Sequence, residues 1–276
     1  MDAISTRLQL DLWWFSWIAF GVAIPLYAFL RQRDPLIRWH EHGNVSTRSF
    51  NGFDLGVMLA YFLVLQGILM LGTKPNSEAV TIEAVHMLAD ILLKVMLASF
   101  FIYWLMVRRV DLLETFGLTR LNLQATLIWG GVVGVLAVPL VMAVGAVAKQ
   151  QLTQFLGEVP AQPVVEAFIN SDDPTFKIIT IVGVVVVTPI FEELVYRGYL
   201  YGVTKKYSDR FFATLFSCLI FTVAHAGVIT LLPIVTLAIF LVLAYELSGS
   251  LWVPILIHML FNLVNVVGML VASSAG

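Results

Sequence analysis

The sequence predicts an all-α fold: a polytopic membrane protein with about eight transmembrane helices around a polar cavity. Three observations predict it. Of 276 residues, 59% are hydrophobic and only 12% charged, with a mean hydropathy of +0.90, whereas soluble domains carry roughly 25% charged residues. The apolar residues fall in continuous runs near the 20 residues needed to cross a bilayer, not in the short period-two segments of a barrel. Inside three of those runs the few polar residues recur four apart, so each set shares one helix face.

Taken in order, the expected spans are 12–30, 55–72, 87–107, 125–147, 177–200, 211–225, 228–246 and 251–272. The second is marginal in length and the sixth short. Asp2, Arg7 and Asp11 precede the first run in place of a basic leader and cleavage site, so it reads as a retained helix and not a signal peptide. Gly130 and Gly134 in the fourth make a GxxxG spacing that allows close helix approach. The less apolar stretch 150–173, with Pro160, Pro163, Glu158, Glu166, Asp172 and Asp173, reads as an external loop at the membrane interface. It closes on Ser171-Asp172-Asp173-Pro174, a capping residue followed by proline, which starts the next helix. No repeat or second domain is visible: residues 1–276 form one membrane domain, in which 1–176 hold the N-terminal helices and 177–272 those with polar motifs.

Lys and Arg in the connections set orientation. One face holds Arg31, Arg33, Arg38, Arg48, Arg108, Arg109, Arg120, Arg197, Lys205, Lys206 and Arg210; the other holds Arg7, Lys74, Lys149 and Lys177. Both termini are therefore expected outside the cytoplasm, with Glu192 toward the cytoplasmic end of its helix. A net charge of -2 with scattered basic residues excludes a nucleic-acid footprint. The single cysteine, Cys218, lies in an apolar run and reads as a packing residue.

Ionisable residues at membrane depth are costly, which makes them candidates for function. Glu192 and Glu193 are adjacent, and Arg197 follows the second by four. On a helix Glu193 and Arg197 share a face, while Glu192 points about 100° away. Arg197 is thus expected to hold Glu193, leaving Glu192 to face a cavity as a general base on water; the alternative is a structural pair with a spare carboxyl. Pro189, three residues before Glu192, removes a helix hydrogen bond, frees the carbonyl of Val185 and makes room for water, unless it is an ordinary membrane proline.

Phe221 and His225 share one face of the sixth span, and His258 and Asn262 one face of the last. The latter pair points two side-chain N–H groups at one place, either to bind an oxyanion or to tie helices together; Asn265 could substitute in either role. The literal span 211–225 sets His225 about 20 Å from the cytoplasmic end, whereas Glu192 and His258 lie about 10 Å in, so the sixth helix has to start outside the hydrocarbon, tilt or break. Asp90 and Lys94 are expected to pair with each other, and His40-Glu41-His42 to lie in a solvated loop.

As they stand, these residues resemble the CPBP family of membrane proteins, the CAAX proteases and bacteriocin-processing enzymes also called the Abi family. Glu192 to Arg197 is similar to its EExxxR motif, Phe221 to His225 to FxxxH, His258 to Asn262 to HxxxN, and Gly249-Ser250-Leu251-Trp252-Val253-Pro254 to the usual approach to the last. The likeness covers about residues 178–270. It implies a glutamic-type intramembrane endopeptidase in which Glu192 with His225 activates water, His258 with Asn262 binds the oxyanion, and Glu193, Arg197 and Phe221 support the pocket. The substrate would be a membrane-associated protein or peptide, of the prenylated CAAX type in the best-known members, and the location the cytoplasmic membrane of a prokaryote. No cofactor is expected. Zinc is disfavoured because HExxH is missing, Arg197 competes at Glu193 and Asn262 is a poor ligand. Two rivals are a catalytically silent immunity or scaffold protein and a proton-coupled transporter; against the latter stands the lack of an inverted repeat of broken helices.

Overall fold

The computed structural model describes Tyr27, Phe29 and residues 43–72, 83–156, 162–225 and 229–275. Apart from Tyr27 and Phe29, the expected first span lies outside the described residues, as do His40-Glu41-His42, Arg7, Arg31, Arg33, Arg38 and Lys74. The elements are α1 (Gly52–Gly72), α2 (Ala84–Val107), the single turn α3 (Leu112–Thr115), α4 (Leu123–Leu156), α5 (Pro163–Asn170), the long rod α6 (Pro174–Tyr207), α7 (Arg210–Ala224), α8 (Leu231–Ser248) and α9 (Trp252–Ala275). The described residues contain no strand, in line with the all-α expectation.

Five helices, α2, α4, α6, α8 and α9, are long and apolar enough to cross a membrane, while α7 and the apolar stretch Gly52–Val64 of α1 are shorter. The count of eight is therefore not reached among the described residues. The surface explains how an apolar chain folds: Leu92, Met96, Phe100 and Tyr103 form an exposed stripe on α2, which suits contact with lipid. Buried apolar side chains instead bind the helices together. Ala137 and Val141 of α4 meet Leu237, Leu241 and Ala244 of α8 and Val253 and Ile257 of α9. A larger cluster joins α1, α2, α6, α7 and α8 around Phe101, Tyr199 and Phe221.

Local chemistry starts most of these helices. Asp173 accepts a hydrogen bond from the Thr175 amide at 2.8 Å with Pro174 in the first turn, as the capping signal implied. Asp209 caps α7 through the Phe212 amide. The stretch 150–173 departs from the expected loop: α4 continues to Leu156, and Pro163 begins the short helix α5 with Phe168 buried. Pro163 sits in the first turn of α5, where its missing N–H costs nothing, and residues 157–161 with Pro160 lie outside the described residues. Gly130 and Gly134 lie where α4 crosses α9, and a β-carbon on Gly134 would come 2.7 Å from Leu260. Gly249 adopts φ +67° after α8, and a β-carbon on Gly117 would run into its carbonyl. That tight turn sets the entry of α9 and with it His258.

The rod α6 is not a uniform helix. Gly183–Val187 and Leu194–Tyr201 are π-helical, and the six residues Thr188–Glu193 between them are α-helical. Each π segment widens the helix and rotates the residues beyond it, a feature often found at functional sites. The rod also runs seven residues past the expected end at 200, roughly 10 Å further. Arg197 and Lys205 are buried residues of this helix and not loop charges. Lys205 is buried against Glu246 at 2.8 Å, which also accepts from Tyr201 at 2.6 Å. At a second such point Asp54 pairs with Arg108 and accepts from Trp104 at 2.9 Å and Tyr199 at 3.1 Å.

Candidate active site

Extension of α6 removes the depth mismatch. From Glu192 down to Tyr207 and from Asp209 back up to His225 the two arms have nearly equal length, so α6 and α7 bring the glutamates level with the histidine without a break. His225 ends α7 as its cap residue, and its Nδ1 stands 2.7 Å from the Phe221 carbonyl. A carbonyl only accepts, so Nδ1 donates. The other nitrogen, Nε2, faces Glu192 Oε2 at 3.5 Å.

Glu193 points elsewhere. Its Oε1 accepts from Arg197 Nη1 and from His258 Nδ1, both at 2.9 Å, and the side chains of Glu193 and Arg197 are wholly inaccessible. The guanidinium lies 4.1 Å over the Phe221 ring, a cation–π contact that is strongest away from water. The Phe221 ring in turn meets His225 at 4.3 Å and His258 at 5.9 Å. One phenylalanine thus spaces the arginine and both histidines. His258 is itself buried, with Nδ1 committed to Glu193 and Nε2 left over.

Asn262 is placed differently from the expectation of two donors aimed at one point. Its Nδ2 donates to the Val184 carbonyl at 2.8 Å. The reason lies in the π segment: the Thr188 amide reaches back to Gly183, and the residue next in line, Pro189, has no N–H. The carbonyl left over is therefore that of Val184, not Val185, and Asn262 from α9 satisfies it. One N–H and the amide oxygen of Asn262 remain. Asn265 bonds the Phe261 carbonyl of its own helix.

Glu192 lines a cavity of about 270 Å³ together with Tyr61, Asp90, Lys94, Tyr196 and His225. Lys94 pairs with Asp90 as expected, and its ammonium also stands 3.8 Å from Glu192 Oε1. Oε2 of Glu192 is buried without a hydrogen-bond partner among the described residues. Sequence reasoning missed Tyr61 and Tyr196 as cavity residues and Lys94 as a neighbour of the carboxylate. The signal for Lys94 was an ammonium in an apolar run, which fits a proton or ion path as well as a local pair with Asp90. Among the described residues no group of three His, Cys, Asp or Glu side chains converges as a metal cage.

Residues 174–264, which hold all three motifs, match the family model described as "Type II CAAX prenyl endopeptidase Rce1-like". A protein of Bacillus subtilis (strain 168) described as "Putative membrane peptidase YdiL" is 32% identical over 77 residues, 28% of this chain and 32% of the relative. The chain thus aligns with about a third of that relative's length. No solved structure matches. The resemblance seen in the motifs is therefore supported over the segment that carries them, and the N-terminal helices lie outside it.

Proposed function

We propose that this chain, with its CAAX prenyl endopeptidase-like segment 174–264, is an intramembrane endopeptidase that hydrolyses a peptide bond of a membrane-associated protein. One observation carries the reading: a buried carboxylate oxygen without a hydrogen bond, 3.5 Å from an imidazole nitrogen, on the wall of a cavity inside apolar helices. Such a group is costly unless it is used.

In this reading Glu192, assisted by His225, takes a proton from a water in the cavity as the oxygen attacks the scissile carbonyl carbon. The carbonyl electron pair moves onto its oxygen, where the uncommitted N–H of Asn262 and Nε2–H of His258 donate to it, the latter in the imidazolium form that alone carries a proton on both ring nitrogens while Nδ1 stays on Glu193. Collapse of the intermediate breaks the C–N bond, and the proton passes from Glu192 to the leaving nitrogen, so one water yields one acid and one amine. Glu193, Arg197 and Phe221 hold His258 and the pocket in shape.

The test is purified protein in detergent, incubated with a prenylated CAAX peptide and a panel of unmodified membrane peptides, with Glu192→Gln and chelator controls. Cleavage by the wild type that survives chelation and disappears in Glu192→Gln is expected. Loss on chelation, restored by one equivalent of zinc, would make Glu192, His225 and His258 metal ligands instead; equal activity of the variant would remove Glu192 from the mechanism. The peptide cleaved decides whether a prenyl group is required.

The same reading places the site toward the cytoplasm with both termini outside. Cys218, the sole cysteine, is buried, so introduced thiols report without background. A cysteine at Lys206 should label from the cytoplasmic side only and one at Asn170 from the other side only; reversed labelling overturns the orientation.

A further inference from the structure

The matched segment supplies α6 to α8 and the first part of α9, yet the Glu192 carboxylate has a neighbour from outside it. Lys94 sits on α2, whose whole length precedes residue 174. Its ammonium stands 3.8 Å from Glu192 Oε1, while His225 Nε2 stands 3.5 Å from Oε2. The carboxylate is thus flanked by a basic group at each oxygen, one from α2 and one from the end of α7. Both gaps are longer than an ordinary hydrogen bond yet within ion-pair distance, so the charges attract the carboxylate without closing on it. Asp90, one turn earlier on α2, pairs with Lys94 directly and keeps the ammonium from collapsing onto Glu192. The side chain of Lys94 is 26% exposed and that of Asp90 48%, against 9% for Glu192. The line Asp90, Lys94, Glu192 therefore runs from the mouth of the cavity inward.

Resting on the peptidase reading above, we propose that Lys94 is a positioning residue of the site, an ammonium lent by α2 that fixes the Glu192 carboxylate opposite His225, with Asp90 as its anchor. A freely rotating glutamate would swing toward the one partner it had and offer the water no fixed base. A point charge at each oxygen holds both. The attraction itself weakens as Glu192 takes its proton, so the gain is one of orientation, and loss of that orientation is worth about one to two powers of ten in rate. The inference also gives the N-terminal half a part in the chemistry.

The experiment compares steady-state kinetics of wild type, Lys94→Met, Lys94→Arg, Asp90→Asn and Glu192→Gln on whichever peptide the wild type cleaves, with thermal unfolding recorded for each. Lys94→Met should lower kcat about 10- to 100-fold with KM within about twofold, and Lys94→Arg should recover most of the loss. A wild-type kcat in Lys94→Met, a change confined to KM, or an arginine variant as poor as the methionine one overturns the proposal while the peptidase reading stands. Should Lys94→Met fail to fold, Asp90→Asn decides: it keeps the cation and removes its anchor, so kcat should fall at unchanged KM, and wild-type kcat there also overturns it. Full activity in Glu192→Gln is a different failure, that of the base itself.

Discussion

Glu193 and Glu192 are neighbours on one helix and occupy opposite surroundings. Around Glu193 everything is closed: an arginine and a histidine donate to the same carboxylate oxygen, an aromatic ring covers the arginine, and no side chain of the three is more than 3% exposed. Around Glu192 nothing is closed. Its two basic neighbours stand beyond hydrogen-bond distance and a cavity opens beside it. In the proposed mechanism identical side chains divide into a supporting group and a reactive one, because a step of about 100° along a helix exchanges one set of neighbours for another. Glu193 Oε2 and Arg197 Nε are buried without a hydrogen-bond partner among the described residues too, so the contrast lies elsewhere: Glu193 is held through Oε1 by two donors, whereas Glu192 has no donor at hydrogen-bond distance among those residues and faces a cavity.

The sharpest way to break this contrast is to exchange the carboxylates for amides one at a time. Glu193→Gln strands a fully buried Arg197, and loss of one partner of such a pair costs about 3–5 kcal/mol; a large drop in thermal stability in detergent is expected. Glu192→Gln should leave unfolding within about 1 kcal/mol of wild type, since no hydrogen bond to it is lost, while cleavage falls to background. Should both variants unfold alike and lose activity alike, the two surroundings act as one.

A smaller effect is expected at Asn262, which ties α9 to the Val184 carbonyl and is also a proposed oxyanion donor. Asn262→Ala removes a proposed oxyanion donor, worth about 10² to 10³ in kcat, and leaves the Val184 carbonyl unpaired, worth about 1–3 kcal/mol of stability. Kinetics and unfolding measured on the same preparation separate the two. Loss of stability with kcat unchanged would assign Asn262 wholly to helix packing.

Much of this contrast was legible beforehand. The four-residue steps from Glu193 to Arg197, Phe221 to His225 and His258 to Asn262 each predict a shared face, and helix geometry alone enforces that. The start of α6 at Asp173-Pro174 was equally legible, because capping is chemistry between near neighbours in the chain. The site resisted reading where a partner came from afar. Lys94 reads as the mate of Asp90 because they are four apart; nothing in its own segment reveals a glutamate 98 positions later. Asn262 reads as a free donor because the orphaned Val184 carbonyl exists only once a π segment meets a proline.

The sequence by itself determined that the chain is helical and apolar enough for a membrane, which faces carry polar groups, and which family its motif segment resembles. These depend on composition and on separations of three or four residues, which backbone geometry converts directly into position. Only the tertiary structure decided that α6 runs on to Tyr207, so that His225 meets Glu192. It also decided where the two π segments turn the glutamates and that α2 sets an ammonium beside one of them. Depth, rotation and register between helices arise from packing of whole faces against one another, and a shift of a single residue, about 1.5 Å along and 100° around, would have separated every one of these contacts.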